Sequence, residues 1–132
     1  MMTEFRPHML PKVRSKRIMA APNLILQRTG IMMPCTLRIA SFLGERCSDP
    51  DTNVMAHLRG PGKGVSTKVS DLSAVCACHR CHQLLDQPSP RERKALELYP
   101  AAVSDRMLQA IFETQAILAA HEIITIPDAE LI

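Results

Sequence analysis

The sequence is poor in aromatic side chains: Phe, Tyr and Trp make up 3% of its 132 residues, and Trp is absent. It has no apolar run near the roughly 20 residues needed to cross a bilayer, and no charged, then apolar, then small segment opens it. A membrane span and secretion are therefore disfavoured, and we expect a cytoplasmic protein. Because 46% of the residues are apolar, one domain can form a core, although few large side chains can fill it.

Charge is unevenly distributed along the chain. Residues 1–30 contain six Lys or Arg side chains and one acid, whereas residues 88–132 contain four basic and seven acidic side chains. Residues 1–33 also hold three prolines and lack a sustained period, which predicts a basic, loosely ordered arm with one short helix near 23–29. Such an arm would bind a polyanion such as DNA in a salt-dependent way; a solubilising tail is the alternative. The domain proper would then occupy 34–132.

The remaining patterns predict an α+β domain. The expected elements are a β-hairpin over 35–59 that pairs Cys35–Ile39 with 53–58, a Gly-rich loop over 60–71, helices from about His82, near 90–98 and over 102–120, and a terminal strand at Ile123–Ile126. The helix near 90–98 starts with a capping-box spacing, Ser89 to Glu92, and with Pro90 at its first position. The last helix carries an apolar stripe that could pack on the core or pair with a second chain as a homodimer. Its members are Leu108, Ile111, Phe112, Leu118 and Ala119.

Five cysteines in a chain without an export signal favour metal binding over disulfides. The Cys78-x2-Cys81 spacing lets two thiolates reach one tetrahedral ion from a tight turn, and a hairpin could bring Cys35 and Cys47 to the same ion. We therefore predict a structural zinc ion on these four cysteines, whose binding free energy would compensate for the thin core. Cys76 is the odd one, and it could replace Cys78 as a ligand.

Two histidines stand near these cysteines in the sequence. His82 and Asp86 are four residues apart, so on a helix they share a face and could bind a divalent cation; a surface hydrogen bond is the alternative. His57 ends an apolar strand-like run just before the Gly-rich loop, where it is either a core histidine or a functional one. The order along the chain is a strand histidine, a loop, C-x2-C-His and a helix carboxylate.

That order resembles the HNH, or His-Me-finger, endonucleases, whose core is a ββα-metal unit of two strands, a loop and a helix around one divalent ion. More closely, the chain resembles the small phage and prophage nucleases of the YbcO family. The segments that carry this likeness are Cys35–Ile39, Ala56–Leu58, Gly62–Gly64, Ser70–Leu72 and Cys78–Asp86. The resemblance covers about 11–87 strongly and the C-terminal helix more loosely. It implies a small zinc-stabilised ββα core over 53–87 and C-terminal helices over 90–121, in a bacterial host cell.

The resemblance also implies a function, the metal-dependent hydrolysis of DNA phosphodiester bonds in phage recombination or DNA processing. His57 would be the general base, and His82 and Asp86 would hold a catalytic Mg²⁺ or Mn²⁺. Asp71 stands where these enzymes usually have Asn, the residue that orients the loop and the strand histidine. Ala56 departs from the pattern, because many of these enzymes place a metal-binding Asp there. The resemblance assigns the structural zinc to Cys35, Cys47, Cys78 and Cys81.

Arg59, Lys63 and Lys68, in or beside the Gly-rich loop, are candidates for contacts to DNA phosphates, with ordinary loop solvation as the alternative. Two other functions stay open. The chain could be a non-catalytic, zinc-stabilised DNA-binding module, or an adaptor that binds phage or host recombination proteins through the apolar face of helix 102–120.

Overall fold

The computed structural model describes residues 10–58 and 69–132. They form α1 (Lys16–Met19), α2 (Ala21–Thr29), β1 (Val54–His57), β2 (Ala74–Ala77), α3 (His79–Asp86), α4 (Pro90–Glu97) and α5 (Pro100–Ala120). Short 3-10 turns lie at Ile39–Leu43, Pro50–Thr52 and Asp71–Ser73. The chain thus mixes helices with a small two-stranded sheet, as the α+β prediction requires. None of the described helices combines the length and the apolar composition that crossing a membrane demands.

The sheet is an antiparallel hairpin, with Val54 opposite Ala77 and His57 opposite Ala74. The prediction that residues 53–58 pair with Cys35–Ile39 is therefore wrong, because the partner of β1 is β2. Residues 35–37 do approach β2, since the N–H groups of Thr36 and Leu37 donate to the Cys76 carbonyl at 2.8 and 3.2 Å. They cannot continue as a strand, because Arg38 adopts a left-handed φ of 47° and turns the chain into the 3-10 segment.

Side chains alternate between the two faces of this hairpin, and each face packs into its own core. The front core holds Leu37, Ile39, Ala56, Leu58, Val75, Ala77, Leu84 and Ala110 among its buried residues. The back core holds Ile18, Ala21, Ile25, Met33, Met55, Ala74, Cys76, Leu118 and Ile123. Helix α3 packs in the front core and α1 and α2 pack in the back core, whereas α5 contributes Ala110 to one and Leu118 to the other.

Residues 16–29 do not form the loosely ordered arm that the sequence predicts. Ile18, Ala21 and Ile25 are each at most 2% exposed, and they anchor α1 and α2 in the back core. The helix expected near 23–29 is present as α2, which begins two residues earlier with Pro22 in its first turn and ends at Gly30, whose φ is 71°. The spacing of the three buried residues is helical, but Pro22 lies among them and basic residues stand directly before them, which hides the pattern.

Helix α4 confirms the capping-box prediction. The Ser89 hydroxyl accepts from the Glu92 N–H at 3.1 Å, and the Glu92 carboxylate accepts from the Ser89 N–H at 2.9 Å. Helix α5 confirms the prediction over 102–120 and starts at Pro100. Its predicted apolar stripe faces inward only in part, because Leu118 is buried while Leu108 and Phe112 are 48% and 54% exposed.

The terminal strand predicted at Ile123–Ile126 is wrong. Glu122 adopts a left-handed φ of 57°, and the N–H groups of Ile123 and Ile124 then both donate to the Leu118 carbonyl at 2.9 and 3.3 Å. These bonds close the end of α5, so the N–H groups are no longer available to a sheet. Ile123 is buried at this turn, which explains why the segment is apolar.

A buried hydroxyl pair joins α5 to the hairpin. The Thr36 hydroxyl donates to the Cys76 carbonyl and accepts from the Cys76 N–H, both at 3.1 Å, and it lies 2.7 Å from the Thr114 hydroxyl. Thr36 is 1% exposed and Thr114 is fully buried. Because Thr36 already donates to the carbonyl, Thr114 must donate to Thr36.

The two hydroxyls predict unequal costs of substitution. Thr36→Val leaves the buried Cys76 N–H without a partner and should lower the free energy of unfolding by about 2–3 kcal/mol. Thr114→Val removes one bond and leaves Thr36 bonded to Cys76, so we expect about 1 kcal/mol. Urea denaturation of both variants measures the difference. Equal losses would show that the bonds to Cys76 do not stabilise the fold.

Candidate functional site

The structure brings four of the five cysteines together. Cys35 precedes the 3-10 segment and Cys47 follows it, while Cys78 is the N-cap of α3 and Cys81 lies in its first turn. Their sulfur atoms all lie within 4.8 Å of one another, and those of Cys47 and Cys81 are 3.9 Å apart. The predicted quartet is therefore assembled, although Cys35 and Cys47 reach it from the ends of a turn and not from a β-hairpin.

Backbone N–H groups surround these sulfurs. Cys78 N–H donates to the sulfur of Cys35 at 3.3 Å, Ser48 N–H donates to that of Cys78 at 3.3 Å, and Ala40 N–H donates to that of Cys81 at 3.5 Å. Such donors stabilise thiolates over thiols, since they offset negative charge on sulfur. The loop around Cys35 and Cys47 is thereby bonded to the start of α3.

The chemistry of the quartet fits a metal ion. Hydrogen bonding from Cys81 lowers the pKa of Cys35 to about 4, whereas burial and the charge of Cys35 raise the pKa of Cys47 to about 12. Hydrogen bonding to Cys35, together with burial, also raises the pKa of Cys81. Ionisation of one cysteine therefore disfavours ionisation of the others. Four thiolates this close together need a cation among them. A tetrahedron with metal–sulfur bonds of about 2.3 Å has edges of about 3.8 Å, so these four cysteines could hold a metal such as zinc.

Cys76 is excluded from the quartet by the alternation along β2. Its side chain lies in the back core, with its sulfur 4.0 Å from the Met33 carbonyl oxygen. Burial raises its pKa to about 12. The structure therefore places Cys78, and not Cys76, beside Cys81, and the alternative ligand set that the sequence leaves open is wrong.

His57 and Asp71 form a hydrogen-bonded pair. The Nε2 atom of His57 lies 2.7 Å from the Oδ1 atom of Asp71, which is 7% exposed. A carboxylate only accepts, so Nε2 carries the proton and Nδ1 of the neutral ring is left with a lone pair. The His57 side chain is about one-third exposed at 34%, so solvent or a ligand can reach the ring. This is the geometry of a histidine oriented by an acid.

Asp71 is itself held by the N-terminal segment. Its Oδ2 atom accepts from the Ser15 N–H at 2.6 Å, directly before α1. Burial raises the pKa of this carboxyl, but the bonds from Ser15 and His57 outweigh it and the pKa is lowered overall. Sequence reasoning missed Ser15, because a backbone donor from 56 residues away leaves no pattern in the sequence.

His82 and Asp86 form the second His–carboxylate pair. The Nε2 atom of His82 lies 2.8 Å from the Oδ2 atom of Asp86, one helical turn later, and the side chains are 38% and 56% exposed. They line a cavity of about 340 Å³ beside α3, together with His79, Gln83 and Gln87. His79 was not predicted, although its position three residues before His82 places it on the same side of the helix.

The sequence-based hypothesis gathers His57, His82 and Asp86 around one phosphate. Among the described residues the two pairs are separate. Ala56 faces the front core with α3, so by alternation His57 lies on the face of Met55, and it does not line the cavity beside α3. Arg59, Lys63 and Lys68, the predicted phosphate contacts, lie outside the described residues.

The lowered pKa of Asp71 predicts a pH-dependent contribution to stability. Its unperturbed pKa is 3.8 and its folded pKa is lower, so the contribution is present above about pH 4 and is lost as the pH falls through the folded pKa. We expect the difference in unfolding free energy between wild type and Asp71→Asn to shrink as the pH falls below 4. Urea denaturation across this range tests it. A difference that grows as the pH falls below 4 would contradict the assigned bonds.

A comparison with protein-family models finds a match to the family described as "Putative nuclease YbcO" over residues 27–121. The match includes all four cysteines of the quartet, both His–carboxylate pairs and all of α5. No curated protein matches the chain. No solved structure matches it either. Because the matched residues make up well over half of the sequence, the chain belongs to the YbcO nuclease family.

Proposed function

We propose that this chain is a metal-dependent DNA endonuclease of phage or prophage type, acting in DNA recombination or processing. Its family indicates a nuclease, and hence a nucleic-acid substrate. The observation that carries the finer proposal is the bond of 2.7 Å between His57 and Asp71. A partly exposed imidazole oriented by a nearly buried carboxylate is suited to removing a proton from water.

In this proposal His57 is the general base. Its Nδ1 atom takes the proton of the attacking water, and the ionised Asp71 stabilises the imidazolium that results. Asp71 keeps this role because both of its oxygens are bonded, one to the ring and one to the Ser15 N–H. In this proposal Asp71 therefore orients His57 directly and not only through the loop.

We assign His82 and Asp86 to a divalent cation, Mg²⁺ or Mn²⁺. Their donor atoms fit it, since an imidazole nitrogen and a carboxylate oxygen on an open helix face leave positions for water and phosphate. When bound, such a cation would offset negative charge on a substrate phosphate. Because the structure places this pair apart from His57, cleavage that uses both requires one nucleic-acid strand to contact both pairs. Ala56 contributes no ligand, and His79, which lines the same cavity as His82 and Asp86, is a further candidate donor on α3.

We assign a structural zinc ion to the quartet. It would bond the turn that contains Cys35 and Cys47 to the first turn of α3, and thus fix the helix that carries His82. In zinc-finger peptides such sites contribute about 10 kcal/mol or more of folding free energy, which is large for a domain with few aromatic residues.

Metal analysis of the purified protein should find about one zinc ion per chain. We expect Cys47→Ser to reduce that content strongly, because serine is a poor zinc ligand. Cys47 suits the test since it is exposed and its replacement disturbs no core packing. Cys76→Ala is the matched control, for it removes a cysteine outside the quartet and should keep the zinc. Wild-type protein that folds without metal, or equal loss in both variants, would disprove the zinc assignment.

Cleavage of supercoiled plasmid in the presence of Mn²⁺ tests the general base. His57→Ala should lower the rate by a factor of about 10² to 10⁴, the usual contribution of a positioned base. Asp71→Asn should lower it less, because the imidazole remains while its orientation and charge stabilisation are lost. His121→Ala, at the C-cap of α5 and in neither pair, should leave the rate unchanged.

The Asp86→Asn variant tests the His82–Asp86 pair independently of the His57–Asp71 pair. If the cation binds there, this variant needs a higher Mn²⁺ concentration for half-maximal cleavage, whereas His57→Ala is slow at every concentration. Nicking at the wild-type rate by His57→Ala would reject the base. DNA binding without cleavage under any metal would make the chain a DNA-binding module, and absence of DNA binding at low salt would favour an adaptor.

A further inference from the structure

Three hydrogen bonds fix residues 12–15 beside Asp71. Val13 N–H donates to the Ser70 hydroxyl at 3.0 Å, Asp71 N–H donates to the Val13 carbonyl at 2.8 Å, and Ser15 N–H donates to the Asp71 carboxylate at 2.6 Å. All three involve the backbone of the N-terminal segment. The segment is therefore held at one place, whatever side chains it carries.

The side chains it carries there are basic. Lys12 and Arg14 stand on either side of Val13, both exposed, and they line a cavity of about 320 Å³ together with Val69 and Asp71. Arg14 lies close enough for its charge to help hold down the pKa of Asp71. Among residues 10–58 and 69–132, neither cation forms an ion pair with a carboxylate.

Asp71 does not neutralise these cations by direct contact. Its Oδ1 atom is bonded to His57 and its Oδ2 atom to Ser15. Two positive charges thus remain exposed next to an imidazole that is itself 34% exposed. A nucleic-acid strand that approaches His57 carries one negative charge on each successive phosphate. These phosphates are complementary in charge to Lys12 and Arg14.

We infer that Lys12 and Arg14 bind nucleic-acid phosphates that flank the one facing His57. The inference rests on the proposed function and names substrate-binding residues for the same site. Both residues lie before the segment 27–121 that matches the family model. The segment then has two tasks, since its backbone holds Asp71 and its side chains hold the substrate.

The test compares two double variants of the full chain, K12Q/R14Q and R91Q/K94Q. Glutamine removes the charge but leaves the backbone bonds to Ser70 and Asp71 intact. Arg91 and Lys94 are exposed on α4 and provide a matched loss of two charges elsewhere. Fluorescence anisotropy with a labelled DNA duplex, without added divalent cation, gives the binding constant as a function of salt.

We expect K12Q/R14Q to reduce the slope of log K against log salt by about 1.8, the equivalent of two phosphate contacts. Its affinity should fall by about tenfold or more at about 0.1 M salt, while R91Q/K94Q stays close to wild type. The loss should persist on a short duplex trimmed around the cleavage position. A loss seen only on long duplexes would place the contacts away from His57 and overturn the inference.

The outcomes also separate this inference from the proposed function. If wild type binds and cleaves DNA but K12Q/R14Q binds as wild type does, or if both variants weaken equally, only the inference fails. If wild type shows no binding to DNA even at low salt, the proposed function fails and the inference fails with it. Circular dichroism of each variant shows whether the fold is retained.

Discussion

The structure depends on the alternation of side chains along a very short hairpin. Each strand has four residues, so a shift of one position would exchange the two cores completely. Ala56 and Val75 are committed to the core shared with α3, and Met55 and Cys76 to the core shared with α1 and α2. Alternation places Cys76 on the face of α1 and α2. Cys78 would share that face if the strand continued, but it is the N-cap of α3 and its sulfur therefore joins the quartet.

Other contacts compensate for the scarcity of aromatic residues in the core. The front core is made mostly of alanine, leucine and cysteine, and none of its fully buried side chains is aromatic. Directional contacts supplement it: the Thr36–Thr114 pair, the N–H bonds to the cysteine sulfurs, and the ion pair of Arg38 with Glu113 at 2.7 Å. Arg38 thereby joins the turn after Cys35 to α5. Contacts of this kind specify geometry more strictly than apolar burial does.

Much of the local structure follows from the sequence, and the exceptions have physical causes. The capping box of α4, the helix over 102–120 and the Cys78–Cys81 half of the quartet were predictable, since spacing within a short segment encodes each of them. Cys35 and Cys47 were assigned to the quartet through a β-hairpin, whereas the structure brings them there from the two ends of a turn. The strand partner of β1 was not, because Arg38 turns the chain through a backbone conformation that its residue type does not announce. The family resemblance implied that the residue at position 71 orients the strand histidine, whereas the role of Ser15 left no signal at all.

Helix α5 touches both faces of the hairpin, and this has a consequence for how the molecule opens. Ala110 is buried on one side, Leu118 on the other, and Thr114 lies between them against Thr36. Neither core can lose its packing without loosening the helix that completes its neighbour. The two halves are thereby joined into a single cooperative unit, in which slowly exchanging amides of β1 and β2 would be released together and not one face at a time.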